Sequence, residues 1–180
     1  MPDTDIIEFY RERCADHSGR SLSAIHALSV EELEHTHDYI QWLFPLPEPS
    51  SAIPDAPVLL ESDIVEFVRD EHLKARLLQS LALMLHFYGL DLRDSKDGPK
   101  INVNEDFAAR SLVWLRPYNH NFLRISRILR SLALLGCNRH AMALFDCLEE
   151  IYRDHSAVIG DKTHQYWKKA AGSNLVPGIG

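Results

Sequence analysis

Apolar side chains recur at intervals of three and four residues along most of this 180-residue chain, and no stretch alternates strictly between apolar and polar residues beyond a few positions. The first spacing places apolar residues on one face of an α-helix, whereas a half-buried strand requires strict alternation. The sequence therefore predicts an all-α fold of about seven or eight helices, forming a single globular domain over residues 1–172. Residues 173–180 are expected to form a disordered C-terminal tail.

The composition restricts the classes of partner. The formal net charge is −7, and binding to nucleic acid or to anionic membranes depends mainly on basic surface that releases counterions. We therefore expect no nucleic-acid partner. No glycine-rich phosphate loop follows a predicted strand and no GxSxG motif occurs in the sequence, so we expect no cofactor and find no hydrolase signature.

The cysteines and the hydropathy pattern indicate a compartment. Cys14, Cys137 and Cys147 form no CxxC pair, and at least one must stay unpaired, which favours a reducing environment. The N-terminus lacks the apolar core of a signal peptide, and no run approaches the roughly 18 apolar residues of a membrane span. The sequence therefore predicts a cytoplasmic protein, nuclear or perinuclear in a eukaryote, without a transmembrane segment.

Local signals set the boundaries of one central helix. Ser29 and Glu32 have the spacing of a capping box, in which each side chain bonds the backbone amide of the other residue. Pro45 disfavours the helical conformation in the residue before it. The sequence therefore predicts a single helix from Ser29 to Phe44.

The middle of the chain contains a second long helix and a polar turn. Apolar spacing predicts a helix from Asp70 that ends at Gly89, a residue that suits a left-handed C-terminal cap. Residues 90–103 include the polar run DSKDGP and are predicted to form a mobile loop. Among the aromatic residues, Trp167 is the one least expected to be buried, since two lysines follow it.

Three polar residues of the predicted Ser29 helix lie at spacings that bring them together. His37 falls within the apolar stripe, and Glu34 and Gln41 lie three residues before it and four residues after it. One interpretation is a buried neutral imidazole bonded to its neighbours, and the other is a ligand-binding strip. His35 and His37 diverge on a helix, so we expect no metal site.

A second polar set lies on the predicted helix that begins near residue 120. His120, Arg124, Arg127 and Ser131 fall on one face, opposite the apolar stripe. The planar fork of arginine suits carboxylates and phosphates, so the two arginines can hold an anion. The alternative is pairing with an acid of the same chain, such as Glu34.

A pocket would arise if these two predicted helices faced each other. Glu34, His37 and Gln41 would then meet Arg124 and Arg127 and supply an acid, a base and an anion-holding pair. An enzyme or a binder of a small anion is therefore one functional hypothesis. Its residues would be these five together with His120.

Four segments resemble the conserved N-terminal region of the opioid growth factor receptor family. They are EFY from Glu8, LEHTHDYIQWLFPL from Leu33, MLHFYGLDL from Met84 and NHNFLRISRILRSL from Asn119. The resemblance implies a non-enzymatic module that binds a peptide or protein partner, and it supplies no catalytic residues. Vertebrate members are described as nuclear receptors for the opioid peptide Met-enkephalin with long C-terminal tails. This chain looks like a compact homologue without the tail.

Overall fold

A computed structural model of the protein describes residues 4–172. The chain divides into two compact units between Leu83 and Met84, and each unit is described by itself. The prediction of one globular domain stays a prediction. The predicted tail, residues 173–180, lies outside the described residues.

The described part of the first unit is helical. Its elements are α1 (Asp5–Tyr10), α2 (Leu22–His26), α3 (Val30–His35), α4 (Ile40–Leu43), α5 (Glu61–Arg69) and the first part of α6 (Glu71–Tyr88). Side chains of Thr4 and Ser21 accept hydrogen bonds at the N-termini of α1 and α2. The capping box of Ser29 and Glu32 is confirmed at the start of α3.

The predicted helix from Ser29 to Phe44 is wrong, because the chain forms two helices there. Thr36 has extended backbone angles, φ −99° and ψ 126°, and four residues separate α3 from α4. The hydroxyl of Tyr39 donates to the carbonyl oxygen of Leu33 at 3.1 Å. This bond satisfies one of the carbonyls that a helix end leaves without an intrahelical partner.

Aromatic side chains form the core of the first unit. The Phe9 and Trp42 ring centroids lie 5.0 Å apart, and those of Tyr10 and Phe67 lie 4.8 Å apart in edge-to-face geometry. The Tyr10 hydroxyl donates to the backbone carbonyl of Leu43 at 2.5 Å. These contacts join α1, α4 and α5 and satisfy the buried hydroxyl.

The second unit contains a β-hairpin, so the all-α prediction is wrong. Strands β1 (Leu90–Ser95) and β2 (Gly98–Val103) pair antiparallel, with Leu90 opposite Val103 and Ser95 opposite Gly98. The mobile loop predicted for residues 90–103 is this hairpin with a two-residue turn. Only Leu90 and Ile101 of the two strands are buried, so the alternation that identifies a half-buried strand is too short to read.

Four helices complete the described part of the second unit after α6 ends at Tyr88. They are α7 (Phe107–Trp114), α8 (Asn121–Leu134), α9 (Asn138–Ile159) and α10 (Asp161–Ala171). Gly89 has φ +78°, as its predicted role at the end of α6 requires. The described residues thus form ten helices, more than the seven or eight predicted, partly because α3 and α4 replace one predicted helix.

Trp167 anchors α10 against α8. The sequence made it the aromatic residue least expected to be buried, and this expectation is wrong. Its side chain is fully buried, and its indole nitrogen donates to the backbone carbonyl of Phe122 at 3.0 Å. Over residues 4–172, none of the helices is both long enough and apolar enough to cross a membrane.

Candidate functional site

The three polar residues of the first predicted set lie in three different parts of the backbone. Glu34 is half-buried near the end of α3, His37 is exposed between α3 and α4, and Gln41 is buried within α4 with 6% of its surface exposed. The expectation that His37 lies in an apolar helix stripe is wrong, because the chain leaves the helix at Thr36. The role of the three residues in ligand binding stays a prediction.

An ionic cluster holds the segment between α3 and α4. Arg20 donates from Nε to Oδ2 of Asp16 and from Nη2 to Oδ1 of Asp38, both at 2.7 Å. Asp16 is buried, and its Oδ1 also accepts from the backbone amides of Ser18 and Arg20. Because these bonds are charge-assisted, they offset the cost of burying the Asp16 carboxylate.

Asp38 belongs to this cluster as a carboxylate. Burial acts to raise the pKa of Asp38, but hydrogen bonds from Ser18 and Arg20 and the positive charge of Arg20 outweigh it and lower the pKa below its ordinary value. Asp38 is therefore ionised at neutral pH. It is an anchor for the segment that carries His37.

The neighbouring His17 has both ring nitrogens engaged. The indole nitrogen of Trp42 donates to Nδ1 of His17 at 2.9 Å, and an indole N–H can only donate. The proton of the neutral ring must therefore sit on Nε2, which lies 3.3 Å from Oδ2 of Asp38. This cluster holds Trp42 in place beside Gln41.

The second predicted set lies along α8 and is partly buried. His120 is exposed just before the helix, Arg124 is 5% exposed, Arg127 is half-buried and Ser131 is fully buried. Nη1 of Arg124 donates to Oδ1 of Asn121 at 3.2 Å. The α8 face therefore presents its two arginines at different depths.

Asparagines before and within α8 position the Arg124 guanidinium. Asn119 accepts from the backbone amide of Asn121 at 2.9 Å and from its side-chain amide at 3.0 Å. This leaves the Asn121 side-chain oxygen directed to Arg124. No sequence motif assigns these asparagines to the orientation of Arg124, so their role was not predicted.

Each predicted set contains one buried polar atom without a hydrogen-bond partner among the described residues. These atoms are Oε1 of Gln41 in the first unit and Oγ of Ser131 in the second. Buried polar groups in proteins nearly always have a partner, and an exception requires an explanation such as a missing water, ion or ligand. Both atoms are therefore candidate contacts for a bound molecule.

A further polar cluster between α9 and α10 has no sequence motif and was not predicted. The rings of Tyr152 and His164 stack with centroids 4.0 Å apart, and His164 pairs with Glu149. The Tyr152 hydroxyl donates to Asp161 at 2.6 Å, and this bond raises the pKa of Tyr152. The four side chains engage one another, so the cluster joins two helices rather than offering a free acid or base.

Within the described residues no cluster of metal ligands occurs, and the Cys147 thiol is protonated at neutral pH. No group of three or more His, Cys, Asp or Glu side chains within residues 4–172 is arranged to hold a metal ion. Burial raises the pKa of Cys147 to about 12, and the thiol is a poor nucleophile while protonated.

Comparison with known proteins identifies a family over almost the whole chain. Residues 8–171 match the family model described as the opioid growth factor receptor (OGFr) conserved region. The opioid growth factor receptor of Mus musculus is 38% identical over 112 residues, which cover 62% of this chain and 17% of that protein. The opioid growth factor receptor of Homo sapiens is 40% identical over 106 residues, covering 58% of this chain and 15% of that protein.

A second group of relatives carries a different name. Opioid growth factor receptor-like protein 1 of Rattus norvegicus is 42% identical over 112 residues, covering 59% of this chain and 22% of that protein. The chain thus matches about a fifth of the length of these relatives. No solved structure matches the chain significantly.

Proposed function

We propose that this chain, which belongs to the opioid growth factor receptor conserved-region family, is a non-enzymatic binding module for a peptide or protein partner. The observation that carries the proposal is the match over residues 8–171 to a family whose relatives include proteins named opioid growth factor receptor. Those relatives are much longer, so their whole activity is not assumed for this chain. The proposed ligand class is a short peptide, of which Met-enkephalin is the first to test.

The proposed binding residues form two sets, each within its own unit: Glu34, His37 and Gln41 in the first, and His120, Arg124 and Arg127 in the second. A carboxylate such as Glu34 in the first unit suits the ammonium group of a peptide, and the arginines of α8 in the second unit suit a carboxylate, each within its own unit. The Oε1 atom of Gln41 is buried and has no partner among the described residues, which supports a ligand group beside it. A hydrogen bond from such a group would offset the free-energy cost of burying an unpaired amide oxygen.

The first experiment measures fluorescence anisotropy of labelled Met-enkephalin as the chain is added. We expect saturable binding that is lost on Gln41→Leu, because leucine removes the amide. Gln79→Leu is the matched control, since Gln79 is exposed on α6 of the same unit. A scrambled peptide that binds equally well, or a Gln41→Leu variant that binds like the parent, would contradict the proposal.

The second candidate function, a small-anion binder or an enzyme acting on an anion, is favoured by one observation on α8. Arg124 is buried, and Ser131 Oγ, seven residues later on the same helix, has no partner among residues 4–172. A ligand that binds the native state raises the melting temperature. Sodium phosphate should therefore raise it more than sodium chloride at equal ionic strength.

The matched variants for the anion test both lie on α8. Ser131→Ala should reduce the phosphate effect, because it removes a proposed donor. Ser126→Ala should leave the effect intact, because Ser126 already bonds the Phe122 carbonyl at 3.1 Å. Equal shifts with phosphate and chloride would exclude this second function.

The proposed location is the cytoplasm, or the nucleus or its periphery in a eukaryote. No disulfide joins the three cysteines within residues 4–172, which supports a reducing compartment. Imaging of the tagged chain in its source cells tests this proposal, and exclusive recovery from the secreted fraction would contradict it.

A further inference from the structure

One long segment of this acidic chain is basic throughout. Residues 107–145 contain six arginines and no aspartate, glutamate or lysine, whereas the whole chain carries a net charge of −7. The segment covers α7, α8 and the first part of α9. Its arginines are Arg110, Arg116, Arg124, Arg127, Arg130 and Arg139.

The same segment carries the most exposed large apolar side chains of the described residues. Leu112 is 67% exposed, Tyr118 is fully exposed and Leu123 is 71% exposed. Single exposed apolar residues are common on protein surfaces, but a group of them rimmed by polar residues marks an interaction site. These three lie within twelve consecutive positions.

Hydrogen bonds bring the three apolar residues to one small region. The Asn119 side chain donates to the carbonyl of Val113 at 3.1 Å, and the Phe122 amide donates to the carbonyl of Asn119 at 3.1 Å. Leu112, Tyr118 and Leu123 are each direct chain neighbours of these bonded residues. The end of α7, the connecting loop and the first turn of α8 are therefore held together.

Two basic side chains belong to the same region. Arg116 and His120 are both exposed, and the Arg116 guanidinium bonds the Leu112 carbonyl. We call the set Leu112, Arg116, Tyr118, His120 and Leu123 the α7–α8 surface. It combines apolar area with positive charge and has no carboxylate of its own.

The backbone of Tyr118 is strained within this surface. Its φ is +60°, a left-handed conformation that is unfavourable for a bulky side chain. Because the ring is fully exposed, packing in the core does not explain the presence of a tyrosine at position 118. Strain of this kind is concentrated at binding and catalytic sites.

We propose that the α7–α8 surface docks a partner protein through a segment that combines acidic side chains with leucine or aromatic ones. This inference goes beyond the proposed function, since it names a surface that does not include Gln41 and assigns a partner chemistry to that surface. Charge complementarity selects the acidic residues of the partner, and the exposed apolar side chains select its leucine or aromatic residues. The apolar share of the surface favours a protein over a nucleic acid, for which phosphate contacts dominate.

The test is a selection of random twelve-residue peptides displayed on phage against the full chain. We expect the selected peptides to be enriched in aspartate or glutamate together with leucine, phenylalanine or tryptophan. A synthetic peptide of the selected sequence, followed by fluorescence anisotropy, should bind the parent chain. Its affinity should fall at least tenfold in Tyr118→Ala with Leu123→Ser, and also in Arg116→Glu.

The controls separate this inference from the proposed function. Tyr166→Ala and Leu60→Ser, at exposed positions outside the surface, should leave the affinity unchanged. If the selected peptides bind the variant with both Tyr118→Ala and Leu123→Ser as tightly as the parent, the α7–α8 surface is not their binding site. The chain would still be a peptide-binding module. Recovery of no enriched peptide, or tighter binding of a labelled single-stranded oligonucleotide than of any peptide, would overturn the inference itself.

Discussion

Arg20 donates from Nη2 to Oδ1 of Asp38 at 2.7 Å, although eighteen positions separate the two residues in the sequence. This bond fixes the segment between α3 and α4, and His37 precedes Asp38 on its exposed side. This long-range ion pair thus anchors the segment that interrupts the helix predicted from Ser29 to Phe44.

Removal of Arg20 should therefore strongly destabilise the fold. In Arg20→Ala the buried Asp16 carboxylate loses its cationic partner, and breaking such a pair costs about 3 kcal/mol. Urea denaturation measures the change. Glu71→Ala is the control, because Glu71 pairs with Lys74 in a largely exposed position, and such pairs contribute less than about 1 kcal/mol. Equal losses in the two variants would show that the ionic cluster is not structural.

The burial of His26 should make the fold less stable in mild acid. Burial, and to a lesser degree the charge of Arg76, lower the pKa of His26 from its ordinary value of 6.5. The unfolded chain therefore binds the proton first, so the contribution of His26 is complete above about pH 6.5 and is lost as pH falls toward the folded pKa.

The variant that tests this is His26→Gln, whose amide can still bond Ser80 in place of Nε2, which lies 2.9 Å from Ser80 Oγ. The unfolding free energy of the parent should fall as the pH decreases below 6.5, and the fall should be smaller in the variant. A stability curve of the same slope in both proteins would contradict the role given to His26.

Gly89 is predicted to tolerate no side chain. A Cβ there would lie 2.6 Å from the Phe107 Cα, a backbone atom that cannot move aside cheaply. Gly19 is the matched control, because it has a similar φ of +80° but nothing within 4 Å of the added atom. We expect Gly19→Ala to cost about 1 kcal/mol from backbone strain alone and Gly89→Ala to cost clearly more. Similar losses by thermal denaturation would refute the close approach.

Replacement of Tyr118 by glycine should raise the stability of the fold and weaken binding to the α7–α8 surface. Glycine relieves the left-handed strain of about 1–2 kcal/mol but gives the unfolded chain more freedom. Tyr118→Gly should therefore raise the unfolding free energy by about 0.5 to 1 kcal/mol while weakening the peptide obtained by selection. A variant that loses both stability and binding would mean that the tyrosine ring has a structural role.

Local signals predicted the parts of the fold that depend on neighbouring residues. The capping box at Ser29 and the glycine that ends α6 were read from short spacings and are confirmed. The break after His35 was missed because the bond that anchors the following segment joins Asp38 to an arginine eighteen positions earlier in the sequence. The hairpin was missed because its strands are mostly exposed.

The candidate site was predictable only in its residue types. Both motif segments drew attention to Gln41 and to the α8 arginines, but the sequence does not reveal which polar atoms are buried without a partner. That property depends on the packing around α4 and α8. The strain at Tyr118 is likewise visible only in the backbone.

Gln41 provides the central test, because its replacement by leucine should leave the stability of the fold intact and abolish binding of the peptide. Leucine has nearly the same size and leaves no buried amide oxygen unpaired, so Gln41→Leu should keep or slightly raise the unfolding free energy. The decisive measurement is the binding curve of labelled Met-enkephalin with the parent and with this variant, at a temperature where both are folded. We predict saturable binding to the parent and none to the variant, whereas equal binding to both, or binding to neither, would contradict the proposed function.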